Sequence, residues 1–262
     1  MQRLYNWYII LSIARSGFVP GLNKDIAIVS NKSTKTMLYE HLRMEILSTR
    51  MPPGADIDEV TLSAEFSLSR TPLREVLRQL AGEGFVVLRE NRSARVTDMS
   101  FSTMRDFFVA APMIYAAVLR LAALNATPAQ IEALRASQVT FREALRKGTA
   151  VDRALANNRF HEITGEMAGN VYLLPSFHRL LIDHARIGTT FYRPQSNEMA
   201  KNLDQASHQH DQIIAAIEAR DQDRAGELAD EHWNLSRGQI ELFVMPDSLD
   251  FPLGAIPRTT TG

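Results

Sequence analysis

Three imidazoles and one amide oxygen in the second half of the chain are of the types, and at the spacing, that could hold a divalent ion. Asn157 and His161 are four residues apart in Asn157-Asn-Arg-Phe-His161. On a helix their side chains leave the same face one turn apart. His210 opens His-Asp-Gln-Ile-Ile-Ala-Ala-Ile217, and His232 lies 22 residues farther on, beyond a break at Arg220-Asp221. Carried on three antiparallel helices, these side chains can converge on one ion. The chain has no cysteine, so a transition metal has to be held by imidazole, amide, carboxylate or water. Spacing alone equally allows each histidine to be exposed or hydrogen-bonded. Arg186, with Tyr192 and Arg193, is of the type that holds an anionic group through charge-assisted hydrogen bonds, and a surface salt bridge accounts for it as well. His178, His184 and His208 are read as structural or exposed, His208 being close enough to His210 to replace it.

A second constellation suits nucleic acid. In Leu68-Ser-Arg-Thr-Pro-Leu-Arg-Glu-Val-Leu-Arg-Gln-Leu80 the cations Arg70, Arg74 and Arg78 recur every four residues, while Leu73, Val76, Leu77 and Leu80 fall on the other side. An apolar back and a basic front suit a helix lying in a major groove, where arginine bonds guanine bidentately or grips phosphate. Arg89, Arg92 and Arg95 follow within a few residues. Alone, the helix is also a normal solvated amphipathic one with i,i+4 ion pairs.

These side chains need elements to present them. Met37, Leu38, Leu42, Ile46 and Leu47 predict a first helix, broken by Met51-Pro-Pro-Gly54. Asp58 to Phe66 predicts a short second helix with an acidic start, and Ser69 is a predicted N-cap of a third through Ala81, stopped by Gly82-Glu-Gly84. Residues 85–88 and 94–97 predict two short strands around a polar tip. That order is a winged helix-turn-helix. From 101 the pattern is helical throughout, with segments at 101–125, 128–147, 150–168, 171–192, 199–219 and 221–244. Pro112 is expected to kink the first of them.

The fold class is therefore mainly α: a winged helix-turn-helix at 34–98 and an all-α antiparallel bundle at 101–245, between a flexible extension at 1–33 and a loose tail at 246–262. A formal charge of −1 over 262 residues excludes a protein that coats nucleic acid without selectivity. No uninterrupted apolar run reaches the length of a membrane span. Leu4 to Ile13 lacks a small-x-small cleavage site, so a cytoplasmic protein is expected rather than an exported one.

Residues 36–97 resemble the DNA-binding domain of GntR-type regulators through Pro52-Pro-Gly54, Asp58-Glu59, the stretch Leu68 to Leu77 and Leu80-Ala-Gly-Glu-Gly-Phe85. The resemblance implies that Ser69, Arg70, Thr71 and Arg74 contact an operator; Arg78 and Arg92 extend the same basic face. Val60 stands where the family offers an arginine, and no glycine stands near Asn91 to Ser93 at the wing tip. The helical half is similar to the FadR-type C-terminal domain, the FCD domain, whose members place an aspartate and three histidines in this pattern. The histidines match at His161, His210 and His232, whereas Asn157 replaces the aspartate. A bound ion, zinc, nickel or manganese, and a small organic acid as effector are what the resemblance implies.

Together these readings predict a homodimeric regulator, a repressor, that binds double-stranded operator DNA as an inverted repeat, with no catalytic residues and no membrane partner. The alternatives are a metal-dependent hydrolase of helical-bundle fold and an architectural DNA binder without a ligand.

Overall fold

In the winged half the clearest helix boundaries are an acidic N-cap at Asp58 and a left-handed glycine at Gly84. The computed structural model describes residues 33–90, 92–194 and 196–244, with side chains omitted at 198 and 236–244. The expected extension, apart from Ser33, and the expected tail lie outside the described residues. Helix α1 (Thr34–Leu47) buries Leu38, Leu42, Ile46 and Leu47. α2 (Glu59–Glu65) starts at Asp58, whose carboxylate accepts from the backbone of Val60 and Thr61 at 3.0 Å. These bonds, with one from the Thr61 hydroxyl, hold Asp58 below the usual carboxylate range. α3 (Arg70–Glu83) turns Leu73, Val76, Leu77 and Leu80 inward. It ends at Gly84, which has φ +91° and returns its N–H to Ala81, while Phe85 N–H reaches Leu80 O at 2.9 Å.

Strands β1 (Val86–Val87) and β2 (Arg95–Val96) pair antiparallel as Val86↔Val96 and Val87↔Arg95. Sequence periodicity misses a third partner, the chain after Pro53. Gly54 N–H donates to Val96 O, Ile57 N–H to Ala94 O, and Val96 N–H to Ala55 O. The wing is thus three segments wide at its base.

The helical half contains α4 (Phe101–Asn125), α5 (Pro128–Lys147), α6 (Ala150–Ala168), α7 (Leu174–Phe191), α8 (Asn197–Glu218) and α9 (Gln222–Val244). Capping boxes at Thr127/Gln130 and Thr149/Asp152 set the starts of α5 and α6. α4 runs as one helix through the buried Pro112. It is long and apolar enough to cross a membrane, one 18-residue window reaching a mean hydropathy of 2.0. Its apolar residues are used otherwise. Met104, Phe107, Phe108, Ala111, Tyr115, Val118, Leu119, Ala122 and Ala123 pack into the core shared with α5 to α9.

Helix α7 serves two cores. Phe177, Leu180, Leu181, Ile187 and Phe191 belong to the helical bundle, while Ile182 and Ala185 pack with Leu38, Leu42, Leu77 and Val86 of the winged half. A polar seam runs beside this contact. Arg186 Nη1 donates to Thr97 O at 2.8 Å and Nη2 to Asp183, which also takes Arg179 Nη1 at 3.0 Å. Arg43 pairs with Glu162 farther along.

The outward basic face and the buried histidine centre

On α3 the expected basic front is exposed: Arg70, Thr71, Arg74 and Arg78 all face solvent. Ser69 holds the N-cap position, but its hydroxyl makes no cap bond, so the expected role is filled by backbone geometry alone and the hydroxyl stays outward. Among the described residues Arg74 makes one long, exposed ion pair, to Glu59 at 3.4 Å, worth little against solvent and salt. Val60 on α2 is 79 % exposed. A bare apolar side chain therefore stands where the family offers a cation.

The three wing arginines divide by task. Arg89 turns inward, donating to Asp56 at 2.6 Å and to Ser93 O at 3.1 and 3.2 Å. Arg95 donates from Nε to Gly54 O. These two brace the wing against the loop before α2. Arg92 is exposed and remains available at the tip.

The histidine centre lies deep in the helical half. α6 supplies Asn157 and His161, α8 His210, and α9 His232. One ligand atom from each of the three imidazoles lies within 4.8 Å of the other two. His161 is 1 % and His210 0 % exposed. The rings are oriented by their surroundings. Phe160 stacks on His210 with centroids 3.8 Å apart and planes 4° from parallel. His210 Nδ1 meets Gln138 Oε1 at 3.0 Å, and Gln138 Nε2 is in turn spent on Ser207 O and Asp211 Oδ1. Since Gln138 presents its oxygen, Nδ1 of His210 is the protonated nitrogen and Nε2 carries the lone pair. His232 repeats the arrangement with Gln209 Oε1 at 2.9 Å. Outer hydrogen bonds that fix a bare Nε2 are those that orient metal ligands.

Several of these atoms lack a hydrogen-bond partner: Nε2 of His210, both ring nitrogens of His161, and Oδ1 of Asn157. Buried polar atoms are normally paired, so a cluster of orphans calls for a ligand. Burial, and then the neighbouring imidazoles, hold His161 and His210 well below their usual 6.5; burial brings His232 to about 4. All three are neutral donors at pH 7. The residues present fit a divalent cation.

The spacing argument places two other groups differently. His178 and His208 are exposed, as expected, but His184 of α7 stands inside the centre, its ring 5.1 Å from that of His161. A signal for it existed: His161 and His184 lie at comparable distances either side of the α6–α7 turn, and antiparallel packing brings such positions level. Arg186 is fully buried at the seam between the halves, its terminal nitrogens committed to Thr97 and Asp183. That is where the structure places the residue expected to grip an effector.

Residues 34–96 match the family described as "Bacterial regulatory proteins, gntR family", and residues 107–235 match the FCD domain. The chain is 28% identical over 78% of its length, and 88% of the relative's, to the "Probable D-xylose utilization operon transcriptional repressor" of Paenarthrobacter nicotinovorans. It is 25% identical over 74% of its length, and 83% of the relative's, to the HTH-type transcriptional repressor RspR of Escherichia coli K12. The solved structure of E. coli McbR/YncC has the same fold, with a TM-score of 0.67 at 16% identity over 81% of this chain and 99% of that one.

Proposed function

Because the chain belongs to the GntR family of DNA-binding transcription regulators and carries an FCD domain, we propose that it is a cytoplasmic repressor whose operator binding is set by occupancy of the histidine centre. The observation that carries this reading is the set of orphaned, buried nitrogens on His161 and His210 beside Nε2 of His232. A domain serving only as an architectural scaffold has no reason to keep such costly atoms unpaired.

The ligands are Asn157, His161, His210 and His232. When bound, a divalent ion would keep its positive charge undiminished, since all four donors are neutral, and an ion that expands beyond four ligands would have a position left for an anion. Imidazole-rich donor sets suit zinc or nickel better than manganese, which prefers carboxylates. That residual charge selects an anion, hence a small organic acid as effector.

On the DNA side, Ser69, Arg70, Thr71, Arg74 and Arg78 enter the major groove and Arg92 meets the backbone beside it. One short helix reads only a half-site, so a homodimer reads an inverted repeat. An exposed line on α4, Met113 and Leu124 with the half-buried Ala117 and the exposed Arg120 between them, is a surface suited to a second copy. The ligand releases DNA if it favours the spacing of winged helices that fits the operator less well.

The test is selection of random double-stranded DNA by the purified protein, before and after removal and return of divalent metal. A short palindrome that loses enrichment or changes affinity on metal removal is expected. A palindrome indifferent to metal would overturn the sensing role, and no enriched sequence from folded protein would overturn operator binding.

A further inference from the structure

Resting on the histidine centre as a metal site, we propose that His184 is the hydrogen-bond donor for a small carboxylate on the open side of the ion, and that Tyr115 fixes it in that role. His184 and His232 line one cavity of about 20 Å³, together with Gly188, Phe191, Tyr192 and Leu235. This is room for one or two water-sized groups, such as the oxygens of a carboxylate head. None of these lining residues is acidic, so nothing on the wall competes with an anion.

His184 differs from the other imidazoles in what holds it. His210 and His232 each turn Nδ1 toward a glutamine oxygen, which keeps the hydrogen on Nδ1 and the lone pair on Nε2. His184 Nδ1 faces the Tyr115 hydroxyl at 2.5 Å. Tyr115 is 4 % exposed, and a phenol keeps its hydrogen at neutral pH. Among the described residues, His184 Nδ1 is the hydroxyl's one hydrogen-bond partner. An O–H left undonated in the core is costly, so Tyr115 donates and Nδ1 accepts.

The hydrogen of His184 is then on Nε2. Two rings thus present fixed lone pairs, the unpartnered His161 can present a third, and the fourth ring presents an N–H. A lone pair binds a cation; an N–H does not, but it bonds an oxygen that the cation has drawn in. The atoms of His161, His210 and His232 cluster within 4.8 Å of one another, with His184 packed against them through His161.

The test uses full-length protein loaded with Co²⁺, whose visible absorption reports its ligands, titrated with acetate and, as a neutral control, acetamide. Wild type should show a saturable spectral change with acetate alone. His184→Phe should keep one Co²⁺ per chain and the acetate-free spectrum, yet need roughly tenfold more acetate or beyond, the loss of one hydrogen bond to a charged group. Tyr115→Phe should weaken acetate binding less, and His184→Gln, which retains an N–H donor, should recover part of it. If His184→Phe does not fold, the same comparison rests on the other two variants.

A His184→Phe protein that binds Co²⁺ and acetate like wild type overturns the donor role and leaves the metal site standing. Loss of Co²⁺ from that variant makes His184 a ligand and also overturns it. Wild type that takes up no Co²⁺ overturns the metal site itself, and this proposal with it.

Discussion

His184 and Arg186 stand two positions apart on α7 and face opposite sides of it: the His184 ring is 5.1 Å from that of His161, while Arg186 donates to Thr97 O at 2.8 Å. One side of the helix touches the histidine centre and the other grips the end of the wing. A shift of α7 caused by a ligand at the histidine centre would therefore reach the winged half without an intermediary.

Arg186→Met is expected to destabilise the protein and to uncouple DNA affinity from metal. Asp183 is 4 % exposed and would keep Arg179 alone. Breaking a buried ion pair costs about 3–5 kcal/mol, and the retained Arg179 places this case toward the lower end. Thermal unfolding checks the cost. The double variant Arg186→Met, Asp183→Asn should be more stable than Arg186→Met alone, because no buried carboxylate is stranded.

At the DNA face, Arg70→Ala and Arg74→Ala should each cost about 1–3 kcal/mol of operator affinity and relax sequence preference. Arg92→Ala should weaken all sequences alike and make the salt dependence shallower by about one charge. Arg89→Ala should act differently, lowering the thermal midpoint through the lost contacts to Asp56 and Ser93. Fluorescence anisotropy at several salt concentrations separates the first two behaviours, and thermal unfolding reads the third.

His161→Phe should abolish metal uptake, measured as bound metal per chain, while leaving the metal-free protein no less stable than wild type. The substitution removes two orphaned nitrogens from a site 1 % exposed, and replacing an unpaired polar group by an apolar one of similar shape is close to neutral. A large fall in the midpoint of the metal-free variant would show that the ring is paired in solution.

Acid should destabilise the metal-free protein early. Burial depresses His184 to about 3 and His232 to about 4, against an ordinary 6.5, and His161 and His210 move the same way. Below pH 6.5 the unfolded chain takes protons that the folded chain refuses. Stability is therefore fully present above that pH and falls toward pH 4, by up to about 1.4 kcal/mol per pH unit for each imidazole. Urea midpoints at pH 7.5 and 5.0 should differ accordingly, and His232→Gln should flatten the difference.

Much of this was legible in the residues. Arg70, Arg74 and Arg78 at four-residue spacing, backed by leucines, marked the outward face of α3, because a helix converts spacing into direction. The boundaries of α4, α5 and α6 followed from helical periodicity and the breaks between segments, whereas the caps at Ser100, Thr127 and Thr149 emerged only in the structure. What spacing could not convey was which neighbour a side chain would meet. His184 and Arg186 are close in sequence, and only the packing of α7 between two cores sends one to the imidazoles and the other to Thr97. Arg89 and Arg92 likewise read as equals until the loop at Asp56 claims one of them.

Gly84 has a consequence for the exchange of parts between relatives. It closes the recognition helix, and a β-carbon there would stand 2.4 Å from Cδ of Arg179 in α7. The turn between helix and wing is thus also the socket of a joint whose other surface belongs to the helical half. A winged helix borrowed from a relative with a side chain at this position would strain the turn, since φ is +91° there, and would push the Arg179 side chain out of its seat.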